Sequence, residues 1–426
     1  MADLLDISTR ILDGDDDTDP WSRLTLELSE VADGVAVIEA FSNVIVLRTD
    51  EGLVLFDTSH DMTATNCVEA LRAWTDDPIH SIVYTHGHVD HVGGSSAFVA
   101  DNEGRGPAPT VIGHANVRPR FDRYRLTNGY NMAINQRQFG RRGLGAEGGD
   151  NFLHPDVAVP TTEFDTTLEL RVGDTDIELR HDRGETDDHA WAWIPEHRAL
   201  AVGDLFIWVF PNAGNPQKVQ RYPVEWAAAL RSMAALEPEL LLPAHGLPIG
   251  GRDRIVEVLA TTATALEGLV RDTLELMNQG QPLDAIVHEV RVPDEVLALP
   301  YLKPAYDEPE FTVRNIWRLY GGWYDGNPAR LKPPPDGELA AALAELTGGA
   351  GPLVTRARRA ADDGELRLAC ALVELAVQAA PDDHDAHGAR ADIYRARRTH
   401  ESSLMARGVF GQASRASAAI ADQAAS

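Results

Sequence analysis

Thr85-His86-Gly87-His88-Val89-Asp90-His91-Val92-Gly93-Gly94 places three histidines and one aspartate within six residues. The run just before it, Ser81-Ile82-Val83-Tyr84, is β-branched and aromatic and reads as a buried strand. The polar cluster therefore falls on the loop at the strand's C-terminal end, where catalytic groups tend to sit. Imidazoles and a carboxylate crowded together need a cation to organise them, and this donor set suits zinc and similar divalent ions. Only Cys67 and Cys370 are present, too few for a disulfide scaffold or a thiolate metal site.

Working outward, Val35-Ala36-Val37-Ile38, Val44-Ile45-Val46-Leu47 and Leu53-Val54-Leu55-Phe56 read as consecutive strands, with Thr49-Asp50-Glu51-Gly52 as the last turn. Thr63 to Trp74 has helical apolar spacing, and Thr110-Val111-Ile112-Gly113 reads as a further strand. From His114 to Phe152 the chain reads as irregular, long for a loop in a compact domain, and such segments are usually functional. Beyond Gly250 helical patterns dominate: Ile255 to Met277, then several amphipathic helices from Leu339 to Ala396, with Leu368, Leu372 and Leu375 on one face. The acidic run Asp13-Gly14-Asp15-Asp16-Asp17 reads as part of a mobile N-terminal arm or a cap preceding the catalytic domain.

With 426 residues, 44% of them hydrophobic, the chain can bury more than one core. A net charge of -28 argues against a nucleic-acid surface. The N-terminus lacks a basic segment followed by an apolar core, and no later run is long enough to span a bilayer, so a cytoplasmic location without membrane attachment is expected. The acidity reverses locally: Arg118, Arg120, Arg123, Arg125, Arg137 and Arg141 face the single acid Asp122. Those cations either serve an anionic substrate or pair with acids elsewhere.

His-x-His-x-Asp-His after a strand resembles the signature of the metallo-β-lactamase superfamily, which implies an αββα sandwich carrying one or two metals. The resemblance implies later ligands, and the sequence has a candidate for each. Glu185 in Gly184-Glu185-Thr186 stands where most of the superfamily has a histidine, with His181 and His189 close enough to compete for that place. Asp204 follows the strand-like Arg198-Ala199-Leu200-Ala201-Val202, and His245 follows Leu240-Leu241-Leu242. The implied metal site has His86, His88 and Glu185 on one ion, Asp90, His91 and His245 on the other, and Asp204 shared. Two zinc ions per subunit are implied, sharing a hydroxide as nucleophile, with Asp90 and Asp204 as the catalytic carboxylates. Asp57 matches the superfamily's structural aspartate behind the metal loop.

The glutamate at the third position is similar to the alkylsulfatase branch. Tyr320-Gly321-Gly322-Trp323-Tyr324-Asp325-Gly326-Asn327-Pro328, preceded by Val313-Arg314-Asn315-Ile316-Trp317-Arg318, resembles the segment that opens that branch's dimerisation domain. The likeness runs from about Val35 to about Gly411. It implies an α/β fold, an αββα metallo-β-lactamase sandwich followed by an all-α dimerisation domain. The expected division is an N-terminal arm (1–30), the catalytic domain (31–265), the α-helical domain (266–415) and a tail (416–426).

The implied activity is hydrolysis of a sulfate ester or similar small anionic ester by a homodimer. Asn131 or Asn128, with Tyr130, is the expected substrate contact in the insertion. After the shared acid the alkylsulfatases have a histidine-rich run and then an arginine that grips the sulfate. Here Trp208 to Pro216 contains neither residue type, and the next cations are Lys218 and Arg221, one of which is expected to take that role. The branch often adds a C-terminal sterol-carrier-like domain for which Ser426 leaves no room, so a long alkyl tail is not expected. Tyr130, His114 and His189 are the candidate leaving-group donors. Because the sulfate-binding run is substituted, a phosphodiester or a lactone stands as the alternative substrate, and a non-catalytic scaffold as the alternative role.

Overall fold

The computed structural model describes residues 3–21, 23–140 and 151–425, so Arg141 lies outside the described residues. Two mixed sheets form the inner layers of an αββα sandwich. The first runs in order β1 (Leu28–Ala32), β2 (Val35–Ile38), β3 (Val44–Thr49), β4 (Gly52–Phe56), β5 (Ile79–Val83), β6 (Thr110–His114) and β7 (Thr162–Phe164). Its first four strands form an antiparallel meander, and β4 to β7 pair in parallel. The second sheet holds β8 (Thr167–Val172), β9 (Thr175–His181), β10 (Ala190–Ile194), β11 (Ala199–Gly203), β12 (Leu240–Pro243) and β13 (Ile249–Gly250), antiparallel except for β11 with β12. Strands β2, β4, β10, β11 and β12 are buried at every residue, which is why they read as apolar runs rather than as alternating patterns.

The helices up to Gly321 are α1 (Leu4–Asp13), α2 (Asp61–Trp74), α3 (Val89–Val92), α4 (Ser95–Asp101), α5 (Val117–Leu126), α6 (Asn128–Phe139), α7 (Pro223–Ala234), α8 (Arg252–Asn278), α9 (Leu283–Glu289), α10 (Asp294–Leu297) and α11 (Pro309–Gly321). Helix α2 turns Ala64, Cys67 and Leu71 inward, and Cys67 and Leu71 join the core of the first sheet with Leu55, Ile82 and Phe98. Near the N-terminus α1 packs onto the fold rather than forming a free arm: Leu4 and Ile11 are buried, and Asp3 caps the helix.

Among the described residues of the insertion after His114, 117–126 and 128–139 are helical rather than irregular. In α5 the apolar residues Val117, Phe121 and Tyr124 are buried at helical spacing, but the arginines between them dilute the pattern in sequence.

The chain divides into two compact units. One carries both sheets, in Met1–Asn131, Gly149–Gln281 and Ala285–Tyr320; the other takes in α6 from Met132 on, Pro282–Asp284 and everything from Gly321 onward. The helical unit holds α12 (Asp336–Thr347), α13 (Ala350–Asp362), α14 (Leu366–Ala379), α15 (His384–Thr399) and α16 (Leu404–Ala421). Its core is rich in alanine: Ala357, Ala360, Ala369, Ala376, Ala386 and Ala389 pack with Val373 and Ile393. The buried face of α14 is thus Leu366, Ala369, Val373, Ala376 and Val377, while Leu368 is exposed, because small side chains let the helices approach closely. Among the described residues no helix is long and apolar enough to cross a membrane.

Candidate metal centre

The side chains of the centre come from segments that follow strands: His86 and His88 from the turn after β5, Asp90 and His91 from α3 beyond it, Glu185 from the loop between β9 and β10, and Asp204 and His245 from just after β11 and β12. Asp57 follows β4 directly with a left-handed φ of 60°, a strained conformation for a non-glycine residue. Its carboxylate accepts from the Thr85 amide (2.8 Å) and hydroxyl (2.7 Å) and pairs with His91 Nδ1 (2.7 Å), so it fixes the start of the histidine loop and turns His91 Nε2 the other way. Ser42 Oγ also lies 3.2 Å from His91 Nδ1, and Asn43 donates to the carbonyls of Pro243 (3.1 Å) and Gly246 (2.7 Å) on either side of His245. The glycine at 203 has φ +53°, and a Cβ there would stand 2.6 Å from Thr85, so only glycine lets β11 deliver Asp204 beside the loop.

The side chains gather in two groups whose ligand atoms lie within 4.8 Å of one another: His86, His88, Glu185 and Asp204, and Asp90, His91 and His245. Asp204 also faces the second group, with Oδ1 3.5 Å from both His91 Nε2 and His245 Nε2, and Oδ2 3.9 Å from His86 Nε2. Within the groups His86 Nε2 is 2.8 Å from His88 Nδ1, His88 Nδ1 is 3.8 Å from Glu185 Oε1, and His245 Nε2 is 3.4 Å from Asp90 Oδ2. Ligand atoms held tetrahedrally at roughly 2.1 Å from one ion stand about 3.4 Å apart. Three buried donor atoms, His91 Nε2, Glu185 Oε2 and Asp204 Oδ1, have no hydrogen-bond partner among the described residues. Buried polar atoms are rarely left so, and the spacing, donor types and orphaned atoms together fit a pair of divalent cations.

The electrostatics of the metal-free centre divide its side chains. Burial, reinforced for His86 by His91 and for His88 by Arg120, holds both imidazoles well below their usual pKa, in the neutral form that ligates metals. Burial also disfavours a charged His91, but Asp204, Asp57 and Asp90 outweigh it and hold that residue well above the usual value. Asp204 is buried as well, and His91 and His245 overcome that burial to keep its carboxylate ionised. Burial pushes Glu185 well above the usual range, against the pull of Arg221.

His189 lies at the centre but not as a ligand. Its ring stacks on His86 (4.8 Å, 19°) and its Nε2 accepts from the Asp204 amide (3.1 Å), with burial lowering its pKa to about 3. His181 and His114 stack on each other at 3.7 Å, and their ring nitrogens face the carbonyls of His189 and Asp165.

The expected substrate contacts fare unevenly. Tyr130 is exposed on α6, whereas the Asn131 amide donates to Thr127 in its own helix turn, and Asn128 accepts from the Phe152 amide. Lys218 is half-buried with its ammonium 5.4 Å from the Phe152 ring, and burial and Arg221 lower its pKa to about 8, against the fields of Asp90 and Glu185. Arg221 is buried and held against Glu185. Three other insertion cations are paired with acids: Arg125 with Asp122 in its own helix, and Arg118 with Glu163 and Arg120 with Asp187 and Asp188 across the fold.

Sequence reasoning passed over several residues. Asp188 accepts from Arg120 Nε (2.7 Å) and from the Gly87 amide (2.9 Å), bracing the histidine loop from a position 101 residues away. Asn212 donates to Glu185 Oε1 from the run noted only for lacking His and Arg. Asp307 accepts from the Gly214 amide (2.6 Å) and the Glu308 amide (2.7 Å), anchoring that same run. Their partners are remote in sequence, and Asp and Asn in loops carry no local signal.

Burial pushes the Asp307 carboxyl up to about 7, although both amides and Arg221 pull it down. Its folded pKa exceeds the unfolded value of about 3.9, so its contribution to stability is full below that value and is lost as pH rises through about 7. Asp307→Asn should therefore gain stability relative to wild type between pH 5 and pH 8, by on the order of 2 kcal/mol. Urea denaturation of both proteins at the two pH values checks this, and a difference that does not change with pH contradicts it.

Comparisons with known proteins agree with this geometry. Residues 37–245 match the profile of the metallo-beta-lactamase superfamily, and residues 283–418 match that of alkyl sulfatase dimerisation. The chain belongs to the alkylsulfatase-like branch of the metallo-β-lactamase superfamily. It is 28% identical over 369 residues to a linear primary-alkylsulfatase of Pseudomonas sp. (strain ATCC 19151), covering 82% of this chain and 69% of that one. It is 27% identical over 377 residues to an (R)-specific secondary-alkylsulfatase of Pseudomonas sp., covering 82% of this chain and 56% of that one. A solved structure of a double mutant of the sec-alkyl sulfatase PisA1 shares the fold with a TM-score of 0.81 at 24% identity, over 92% of this chain and 65% of that one. The chain thus spans between about half and two thirds of the length of these relatives.

Proposed function

We propose that this branch member is a zinc-dependent hydrolase of sulfate esters that works as a homodimer, with a catalytic domain over 31–265 and a dimerisation domain over 266–415. The observation that carries the reading is the pair of ligand groups meeting at Asp204, with a glutamate completing the first group. Its alkylsulfatase relatives support a sulfate ester as substrate, and its match to alkyl sulfatase dimerisation supports pairing of two copies.

In this reading His86, His88 and Glu185 hold one ion, Asp90, His91 and His245 the other, and Asp204 joins the two. Bound divalent ions supply Lewis acidity and a water acidified toward neutrality. Asp57 and Asp188 brace the loop so that the histidines keep their orientation, and Asp204 sets the relation between the groups. Lys218 offers a cation to the ester's anionic group; with a pKa of about 8 it is mostly charged at pH 7. Tyr130 has an exposed phenol free to meet the substrate, whereas the Asn131 amide is engaged by Thr127. A panel of a short alkyl sulfate, a phosphodiester and a lactone, offered to zinc-loaded protein, tests the substrate class. Turnover of the sulfate ester at least about tenfold above the others, a difference of roughly 1.4 kcal/mol in barrier, is expected; preference for either of the others overturns it.

A further inference from the structure

We propose that Arg221 and Asn212 are positioning residues that make Glu185 a one-oxygen metal ligand, and that Arg221 is not the cation that grips the substrate. This rests on the reading of Glu185 as a ligand and deepens it.

Glu185 is 2% exposed, and its two carboxylate oxygens differ sharply. Oε1 receives Arg221 Nη2 at 3.2 Å and the Asn212 amide, while Oε2 is buried and has no donor among the described residues. Arg221 Nη1 also donates to the Glu185 carbonyl at 2.8 Å, so one guanidinium grips both the backbone and the side chain of the same residue. A planar fork suits that double contact, and two of its nitrogens are thereby spent.

The clamp is itself anchored. The backbone of Arg221 is held by Asn315 of α11, whose Oδ1 accepts from the Arg221 amide (3.3 Å) and whose Nδ2 donates to the Arg221 carbonyl (3.0 Å). The loop that carries Asn212 is tied down where the Gly214 amide donates to Asp307. A Cβ at Gly214 would stand 2.1 Å from the Thr312 amide nitrogen, so the loop sits directly on α11.

The arrangement answers a charge problem. A glutamate in place of a neutral histidine adds a negative charge to a buried site that already holds Asp204 and Asp90, and Arg221 supplies the opposite charge in contact with it. Oε1 carries both clamp contacts although it also lies 3.8 Å from His88 Nδ1, whereas Oε2 carries none and is the oxygen the clamp leaves to an ion; groups that orient a ligand in this way govern its affinity for metal.

Cobalt titration of metal-stripped wild type, Arg221→Gln, Arg221→Lys and Asn212→Ala tests this, read by calorimetry and by the visible absorption of bound cobalt, alongside kcat and KM for an alkyl sulfate. Wild type should take up two ions. Arg221→Gln should bind one of the two about 10–100-fold more weakly, with a lower kcat and a KM within about twofold of wild type. Arg221→Lys should recover part of the affinity, and Asn212→Ala should weaken the same ion by a smaller factor. Two ions bound by Arg221→Gln with wild-type affinity, together with a raised KM and an unchanged kcat, would make Arg221 a substrate contact and overturn the proposal. If Arg221→Gln does not fold by circular dichroism, Asn212→Ala decides by the same readouts: weakened binding of one ion supports the clamp and unchanged binding overturns it. Wild type that binds no cobalt removes the ligand reading itself, a result distinct from unequal binding among the variants.

Discussion

Asp204→Ala is expected to lower kcat/KM for the ester by about 10³-fold or more, the largest effect of any single substitution in the centre. Asp204 is the residue that faces both ligand groups, with one oxygen toward His86 and the other toward His91 and His245. In the proposed two-ion centre its removal would take a ligand from each cation together with the link between them. Metal-assisted stabilisation of developing charge contributes several kcal/mol, and each 1.4 kcal/mol is a factor of ten in rate. Asp204 also supplies the largest field holding a proton on His91 in the metal-free protein, so the variant should show altered metal uptake as well as lost activity. Metal analysis beside the kinetics checks both, and an Asp204→Ala protein that retains wild-type turnover would remove the carboxylate from the mechanism.

The second large effect is on stability. Chelation should destabilise the protein by about 4 kcal/mol for each ion removed, relative to protein in zinc at a thousandfold above that ion's dissociation constant, since a ligand that binds only the folded state adds that free energy. The donor atoms explain why the metal-free state is costly: Glu185 Oε2, Asp204 Oδ1 and His91 Nε2 are buried with no hydrogen-bond partner among the described residues. Denaturation curves with chelator and with excess zinc measure the difference, and superimposable curves would mean that the fold does not depend on the ions.

Much of this was legible because the information is local. His86, His88, Asp90 and His91 crowd one loop, and the fully buried strands before Asp57, Asp204 and His245 announce themselves as apolar runs. Glu185 needed the family pattern, since no spacing rule separates it from His181 or His189. The structure separates them: Glu185 joins the first group, whereas His189 packs behind His86.

What stayed hidden is non-local. Arg120 reads as one of many insertion cations until Asp188, 68 residues on, is found against it. Asn212 reads as a turn residue until the fold brings it to Glu185. The helix at Val117–Leu126 was masked because four arginines fill the faces between its buried apolar residues. Lys218 and Arg221 are three residues apart and chemically alike in sequence; only the fold sets one beside Phe152 and the other against Glu185.

The most direct measurement is zinc titration of the metal-stripped protein while free sulfate released from a short-chain alkyl sulfate is followed. The two-group centre predicts sulfate release that rises with added zinc and levels off at two equivalents per chain. Protein that binds zinc to saturation and releases no sulfate above the uncatalysed rate would contradict it.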